Sequence, residues 1–438
     1  MNVGNQDAFA RKNRAIARPF VFVFKHEPGA SVVCTSKIDN AGKHVSNTIL
    51  DNIVDSSPLL SFHRDIVNIE SISGNEADVG NYIIQFLESK NFTVVKQLVP
   101  TQGQERFNVY AYLGNNSTPD VLVTSHIDTV PPYVPYQLSH PDTDTDGQID
   151  RRAVRIHGRG TVDAKGSVAA QIFAVLETLQ HTANASIALL FVVGEENSGV
   201  GMTTFSNSEY NAPSPKSFQT VIFGEPTELN LVSGHKGGFG LTLSATGKAA
   251  HSGYPWLGRN AISLLLPVAN LVENLGNVPV EEGGLPGSPK YGNTTVNLGL
   301  IQGGIAGNVV PASAQASFLV RLASETPEKA KSIISNAVQK FTGGDPDIQL
   351  VFTSSGTSPV DLDADVEGFN VTTVNYGTDV PHLAIHERAG RKVKRYLYGP
   401  GSILVAHSDI EAVAVGELED AVKGYRQLIE HALSRDKK

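Results

Sequence analysis

Four short apolar runs constrain this chain more than any other feature. They occupy residues 107–113, 121–124, 187–193 and 221–223, and each is nearly continuous. A strand covered on one face alternates apolar and polar residues, whereas a strand covered on both reads as an unbroken hydrophobic run. Helical patterns lie among them. Val79, Tyr82, Ile83, Phe86 and Leu87 share one helix face, and residues 168–179 give another. Buried strands alternating with helices predict a doubly wound α/β sheet.

The texture changes near Ser233. Residues 241–245 read as a strand with alternating faces. Ala261, Leu264, Leu265, Val268, Leu271, Val272 and Leu275 then form a helical stripe. Residues 295–300, 316–321 and 349–352 read as strands, and Ala330, Ile333, Ile334, Ala337, Val338 and Phe341 as a second stripe. Two helices and about four strands make a small α+β unit, with loops at the glycine-rich stretches 283–287 and 303–307. Beyond Gly356 the first texture resumes, with an apolar strand expected at 403–406 and a terminal helix at 418–433. The expected organisation is an unassigned extension over 1–50, one domain formed by 51–232 and 356–438, and a second domain, 233–355, inserted into it.

Composition narrows the chemistry. The chain has 438 residues and a formal net charge of −9, which argues against a protein that coats nucleic acid. Its single cysteine, Cys34, excludes a disulfide framework and a thiolate metal cluster. No apolar run approaches the ~18 residues of a membrane helix. Arg11, Lys12, Arg14 and Arg18 precede an apolar stretch at 20–24 that is too short for a signal peptide. Asn-x-Ser/Thr sequons at Asn91, Asn115, Asn116, Asn184, Asn293 and Asn370 lean toward a secretory route, while cytoplasmic residence stays open. The cations Arg388, Arg391, Lys392, Lys394 and Arg395 read as a solvated face.

The reactive residues sit just past the apolar runs. Residues 121–125 lead into His126 and Asp128, 187–194 into Glu195 and Glu196, 221–224 into Glu225, and 403–406 into His407. Asp163 opens the helix that follows a turn at 158–160. In open α/β sheets ligands bind beyond the carboxyl ends of the strands. Taken singly, each residue has an ordinary role as a loop histidine, a helix cap or a solvated charge. Taken together, two imidazoles and several carboxylates suit a pair of divalent ions, Zn²⁺ first, with Co²⁺ or Mn²⁺ as alternatives.

The motifs carry a resemblance. Ser125-His-Ile-Asp-Thr-Val-Pro131, Gly158-Arg-Gly-Thr-Val-Asp-Ala-Lys-Gly166, Gly194-Glu-Glu196, Gly224-Glu-Pro-Thr227, Gly247-Lys-Ala-Ala-His-Ser-Gly253 and Gly399-Pro-Gly-Ser-Ile403 through His407 occur in this order. From about residue 55 onward the chain resembles the two-zinc metallopeptidase family of glutamate carboxypeptidase, acetylornithine deacetylase, succinyl-diaminopimelate desuccinylase and aminoacylase. It is most similar to that family's fungal secreted or vacuolar probable carboxypeptidases. Many relatives carry Met or an acid where this chain has Ala164, which is not a ligand position.

The resemblance implies a zinc-exopeptidase-like catalytic domain interrupted by a lid and dimerisation domain, and a homodimer. It implies that His126, Asp163 and Glu225 bind one zinc, that Asp163, Glu196 and His407 bind the other, and that Glu195 is the general base. Asp128 would accept the second N–H of the His126 ring. His251 would reach the partner's site and stabilise an oxyanion. Asn308 and Arg321 would contact the substrate, the arginine gripping its carboxylate, helped by backbone N–H groups from Gly399 and the hydroxyl of Ser402. Tyr254 and Trp256 read as lid packing rather than a substrate platform.

The activity expected is hydrolysis of an amide beside a free carboxylate, of carboxypeptidase type. The alternative is an N-acyl-amino-acid amidohydrolase like acetylornithine deacetylase, which the 399–403 segment resembles. A catalytically dead binding protein on the same scaffold is disfavoured, because His126, Asp163, Glu195, Glu196, Glu225 and His407 are all present.

Overall fold

The computed structural model describes residues 47–435, except 102, 115, 141–148, 214, 215, 388 and 389. The expected extension therefore lies outside the described residues up to position 46, and helix α1 (Asn47–Asp55) opens the described chain. Helices α2 (Pro58–Asn68) and α3 (Ala77–Ser89) follow. Ser57 caps α2 by accepting the N–H of Leu60, and Pro58 occupies its first turn, where a missing N–H costs nothing.

Strands β1 (Thr93–Val99), β2 (Arg106–Tyr112), β3 (Val121–His126), β4 (Gln137–Ser139) and β5 (Arg155–His157) precede helix α4 (Lys165–His181). Next come β6 (Ile187–Val192), α5 (Val200–Ser206), β7 (Thr220–Gly224) and β8 (Leu231–His235). The inserted segment contains β9 (Gly237–Thr246), α6 (Ala261–Asn274), β10 (Thr295–Gly303), β11 (Ser313–Leu322), α7 (Pro327–Thr342) and β12 (Ile348–Phe352). The chain ends with β13 (Val360–Asp361), β14 (Val371–Val374), β15 (Lys394–Tyr398), β16 (Ala412–Ala414) and α8 (Val415–Ser434).

The central sheet has the order β1-β2-β6-β3-β7-β15. The neighbours β6, β3, β7 and β15 run parallel, and β1 and β2 add an antiparallel edge. Its side chains divide by alternation. Val121, Val123, Ile187, Leu189, Phe191 and Ile222 join the core beneath α4 and α8, whereas Leu122, Ala188, Leu190, Val192, Val221 and Phe223 enter a second core with Met202 and Phe205 of α5. Both faces are covered, which is why the runs are nearly continuous in apolar residues. Each fully buried Leu, Ile or Val contributes about 1.5–3 kcal/mol relative to exposure.

The inserted unit has the opposite pattern. Its antiparallel sheet, in the order β10-β11-β9-β12, packs one face on α6 and α7. β9 and β11 accordingly alternate buried and more accessible residues. Asn260 and Thr326 cap the two helices by accepting the N–H groups of Ser263 and Lys329. The chain crosses into this unit at Lys236, between β8, which pairs with β13 and β14, and β9.

One expected strand is absent. Residues 403–406 form turns, with Val405 N–H donating to Ser402 O and Ala406 N–H to Ile403 O. Leu404 is 85% exposed. The sheet position falls to β15, which starts inside the cationic run. Lys394 pairs with Asp363 and Asp365, and the Arg395 N–H donates to Asp363. This end of the run is therefore tied to an acidic run rather than being a freely solvated face.

Candidate active site

Parallel strands deliver their carboxyl ends to one edge. There β3 ends on His126, the turn after β6 carries Glu195 and Glu196, and β7 is followed by Glu225. Asp163 precedes α4, and its peptide to Ala164 is cis. Asp163 turns one oxygen to each histidine: Oδ1 lies 3.0 Å from His126 Nε2, and Oδ2 lies 3.3 Å from His407 Nε2. His407 Nε2 also lies 3.1 Å from Glu196, and His126 Nε2 lies 3.8 Å from Glu225. Donor atoms of His126, Asp163 and Glu196 lie within 4.8 Å of one another, as do those of His126, Glu195 and Glu225.

This crowding sets the protonation of the groups. Burial, and then the neighbouring Glu225 charge, hold the Glu195 carboxyl well above the usual range. Burial likewise raises Glu225 to about 7. Hydrogen bonds to Asp163 and Glu196 raise His407 to about 10. Burial disfavours a charged His126, but its carboxylate neighbours outweigh this and raise its pKa. So much buried negative charge demands a positive partner. The donor set, two imidazoles with several carboxylates, fits a divalent ion. Glu196 Oε1 is buried without a hydrogen-bond partner, leaving a ligand atom free.

Asp128 has contacts beyond the one expected of it. His126 Nδ1 is 3.0 Å from the backbone carbonyl of Asp128, but 3.6 Å from its carboxylate. The carbonyl is thus the closer partner that can fix the tautomer. The carboxylate accepts the N–H groups of Glu195 and Glu196 at 3.1 and 3.3 Å and the Ser73 hydroxyl at 2.6 Å. Asp128 therefore holds the turn that presents both glutamates.

A cleft of about 670 Å³ lies against this cluster. One wall carries Asp163, Glu195, Glu196, Glu225 and His407; the other carries Phe239, Leu319, Arg321 and residues 353–357. Arg321 is partly buried, and its guanidinium has no ion-pair or hydrogen-bond partner among the described residues. Burial lowers its pKa, opposed by the charge of Glu195.

Three expected substrate contacts, Gly399, Ser402 and Asn308, do not line this cleft, nor does His251, which was expected to serve the partner's site. Gly399 is buried, and its N–H already donates to Thr227 Oγ1 at 3.0 Å. The Ser402 hydroxyl donates to Glu228. Both groups are engaged in holding the turn, and Ile403 lines the cleft instead. His251 and Asn308 lie exposed on the inserted unit and do not line this cleft; the Asn308 carbonyl accepts the N–H of Ser252. Tyr254 and Trp256 stack edge to face, and Trp256 is 73% exposed, so neither is packed as the sequence suggested.

The segment from Tyr376 to His382 was missed. Tyr376, Thr378 and His382 line the cleft, and Tyr376 donates to the carbonyl of Pro226. Asp379 is buried with Oδ1 unpartnered, and burial raises it to about 8. No apolar strand runs into this segment, so the strand-end rule could not find it. Its only signal is the turn-forming Gly377.

Residues 233–346 match the family model described as the peptidase dimerisation domain, and 108–224 match that of peptidase family M28. The chain is 62% identical over 411 residues to a probable carboxypeptidase of Aspergillus clavatus, covering 93% of this chain and 97% of that one. It is 59% identical over 391 residues to one from Aspergillus oryzae, covering 88% and 90%. Its fold is similar to that of an M20 family metallo-carboxypeptidase from Sulfolobus solfataricus, with TM-score 0.62, 18% identity, and coverage of 86% of this chain and 99% of that one. A dipeptidase from Saccharomyces cerevisiae gives TM-score 0.66 at 16% identity, over 90% and 99%. Relatives this similar over nearly their whole length, with the dimerisation domain inserted behind a cluster of metal-ligand type, show that the chain belongs to the M20 family of metallopeptidases.

Proposed function

We propose that this hydrolase is a two-zinc exopeptidase that removes the last residue of a peptide bearing a free carboxylate. The observation that carries the reading is the unpaired Arg321 across the cleft from Glu195 and the imidazole–carboxylate cluster. His126, Asp163 and Glu225 would hold one ion, and Asp163, Glu196 and His407 the other. Bound zinc polarises a carbonyl and acidifies water. Glu195 takes the proton of the attacking water and delivers it to the leaving amine. Asp128 keeps Glu195 aimed by fixing its backbone N–H. The Arg321 guanidinium receives the terminal carboxylate through paired N–H donors and thereby sets which amide faces Glu195.

The proposed division of labour gives 51–232 and 356–438 to catalysis and 233–355 to the lid and dimer contact. His251 and Asn308, which do not line their own cleft, would serve the partner's site in a homodimer. Secretion with N-glycosylation is supported by Asn91, Asn116, Asn184, Asn293 and Asn370, all exposed. Among the described residues no helix is long and apolar enough to cross a membrane.

The test is a substrate panel with the zinc-loaded protein: free dipeptides, the same dipeptides with an amidated C-terminus, and N-acetyl amino acids. Free dipeptides should turn over and amidated ones should not. Turnover of the acetyl amino acids with no dipeptide cleaved would replace the peptidase reading with the amidohydrolase one.

A further inference from the structure

One buried carboxylate outside the cluster reaches both of the chain segments that carry its shared acid and exposed histidine. Glu411, 1% exposed, follows His407 by four residues. Its Oε1 accepts the backbone N–H groups of Gly160, Val162 and Asp163 at 2.9, 3.0 and 3.2 Å. Its Oε2 accepts from Arg159 at 2.6 Å. The same guanidinium nitrogen of Arg159 donates to the carbonyl of Ser408 at 3.2 Å, and Arg159 Nε donates to the carbonyl of Pro132. Its other anchor is backbone. The Gly158 N–H donates to the Glu411 carbonyl, and β16 then pairs with β5 from Ala412 opposite His157.

Successive backbone N–H groups converging on one anion form a nest, and a nest holds its loop in one shape. Here the anion belongs to the chain itself. The loop it shapes ends on Asp163, whose two oxygens face different histidines. The clamp that holds the anion also grips the residue after His407. Moving Glu411 would therefore shift Asp163 and His407 against each other.

We infer that Glu411 is a positioning residue that sets Asp163 and His407 for metal binding before any ion arrives, with Arg159 as its counter-charge. The inference rests on the metal-centre reading above. Glu411 touches neither substrate nor ion, and its effect passes through the backbone of residues 160–163. In an interior ion-pair clamp desolvation offsets much of the Coulombic gain, and removing one partner leaves the other charge buried and unpaired.

The experiment uses the full chain stripped by chelator and titrated with Co²⁺, read by the visible d–d spectrum, with far-UV circular dichroism and thermal unfolding of the metal-free protein alongside. Glu411→Gln keeps the size of the side chain but loses the charge; Glu411→Asp keeps the charge but loses the reach. Either variant that folds should bind Co²⁺ about 10–100-fold more weakly, the range seen when groups supporting metal ligands are removed, and with an altered spectrum. Wild-type affinity and spectrum in a folded variant, even one of lowered melting temperature, would overturn the inference and leave Glu411 a stability element. Failure of the wild-type chain to take up Co²⁺ would overturn the metal-centre reading and the inference with it. A measurement on the wild type alone decides the matter if both variants misfold. In the metal-free protein the amides of 160–163 should be strongly protected from hydrogen exchange, and rapid exchange there would contradict a preset loop.

Discussion

At the scale of single residues, burial of ionisable groups is what this chain spends its stability on. His63, on α2, is fully buried. Burial, only partly opposed by a contact to the Thr161 backbone and reinforced by the Lys165 charge, lowers its pKa from 6.5 to about 4. The folded value lies below the unfolded one, so the unfolded chain binds the extra proton between them. The contribution of His63 is therefore complete above pH 6.5 and is lost as pH falls toward 4. Between about pH 7 and about pH 5, replacing His63 by Phe should remove on the order of 2 kcal/mol of pH dependence from urea unfolding. Equal slopes in wild type and variant would show that His63 is not held neutral.

The same scale shows what a sequence can reveal of a site. His126, Glu195, Glu196 and Glu225 were legible because they follow apolar runs, and parallel strands bring such ends together. Asp379 was not, because no apolar run leads into it, and Glu411 was not, because its partners lie far away in sequence: it binds amides about 250 positions upstream. Arg321 was found only through the family resemblance, since its cleft-facing position depends on how β11 sits against the body.

At the scale of elements, the turn after β15 separates the expectation from the structure most clearly. A strand was expected at 403–406 because those residues are apolar, but Gly399, Pro400 and Gly401 have already ended β15, and the chain turns toward His407. β15 itself was hidden because it opens with two cations: Lys394, which pairs with Asp363 and Asp365, and Arg395, whose guanidinium donates to the Asp361 carbonyl. The glycine that opens the turn is required by space. A Cβ on Gly399 would lie 2.4 Å from both the Glu225 carbonyl and the Ser167 hydroxyl. Gly399→Ala should cost about 1–3 kcal/mol in urea unfolding, as overpacking does. A variant as stable as wild type but with a raised KM would instead restore Gly399 to the substrate-binding role expected from sequence. The inserted unit was easier to read. Its strands alternate and its helices carry clean stripes, because a sheet and helices covered on one face leave a period in the sequence.

At the scale of the whole molecule, the central claim is that two imidazoles and four carboxylates form a hydrolytic metal centre completed across a dimer. The dimer has its own test. His251, Tyr254, Trp256 and Ile305 are all exposed on the inserted unit, and Leu300 and Ile301 of the edge strand β10 are half-exposed. Sedimentation should give a dimer. Mixing the inactive variants Glu195→Ala and His251→Ala should restore activity, because mixed dimers contain one site with both groups intact. Mixtures as inactive as their parents, in a protein shown to exchange subunits, would place His251 outside the partner's site.

The most direct measurement concerns the base. Wild type and Glu195→Gln, loaded with zinc, are compared for bound metal and for turnover of a free dipeptide. Both should hold two zinc ions per chain, while the variant loses about 10²–10⁴-fold in kcat, the usual share of a general acid–base group. A variant that keeps both its metal and its turnover would contradict the assignment of Glu195, and with it the reading of this cleft.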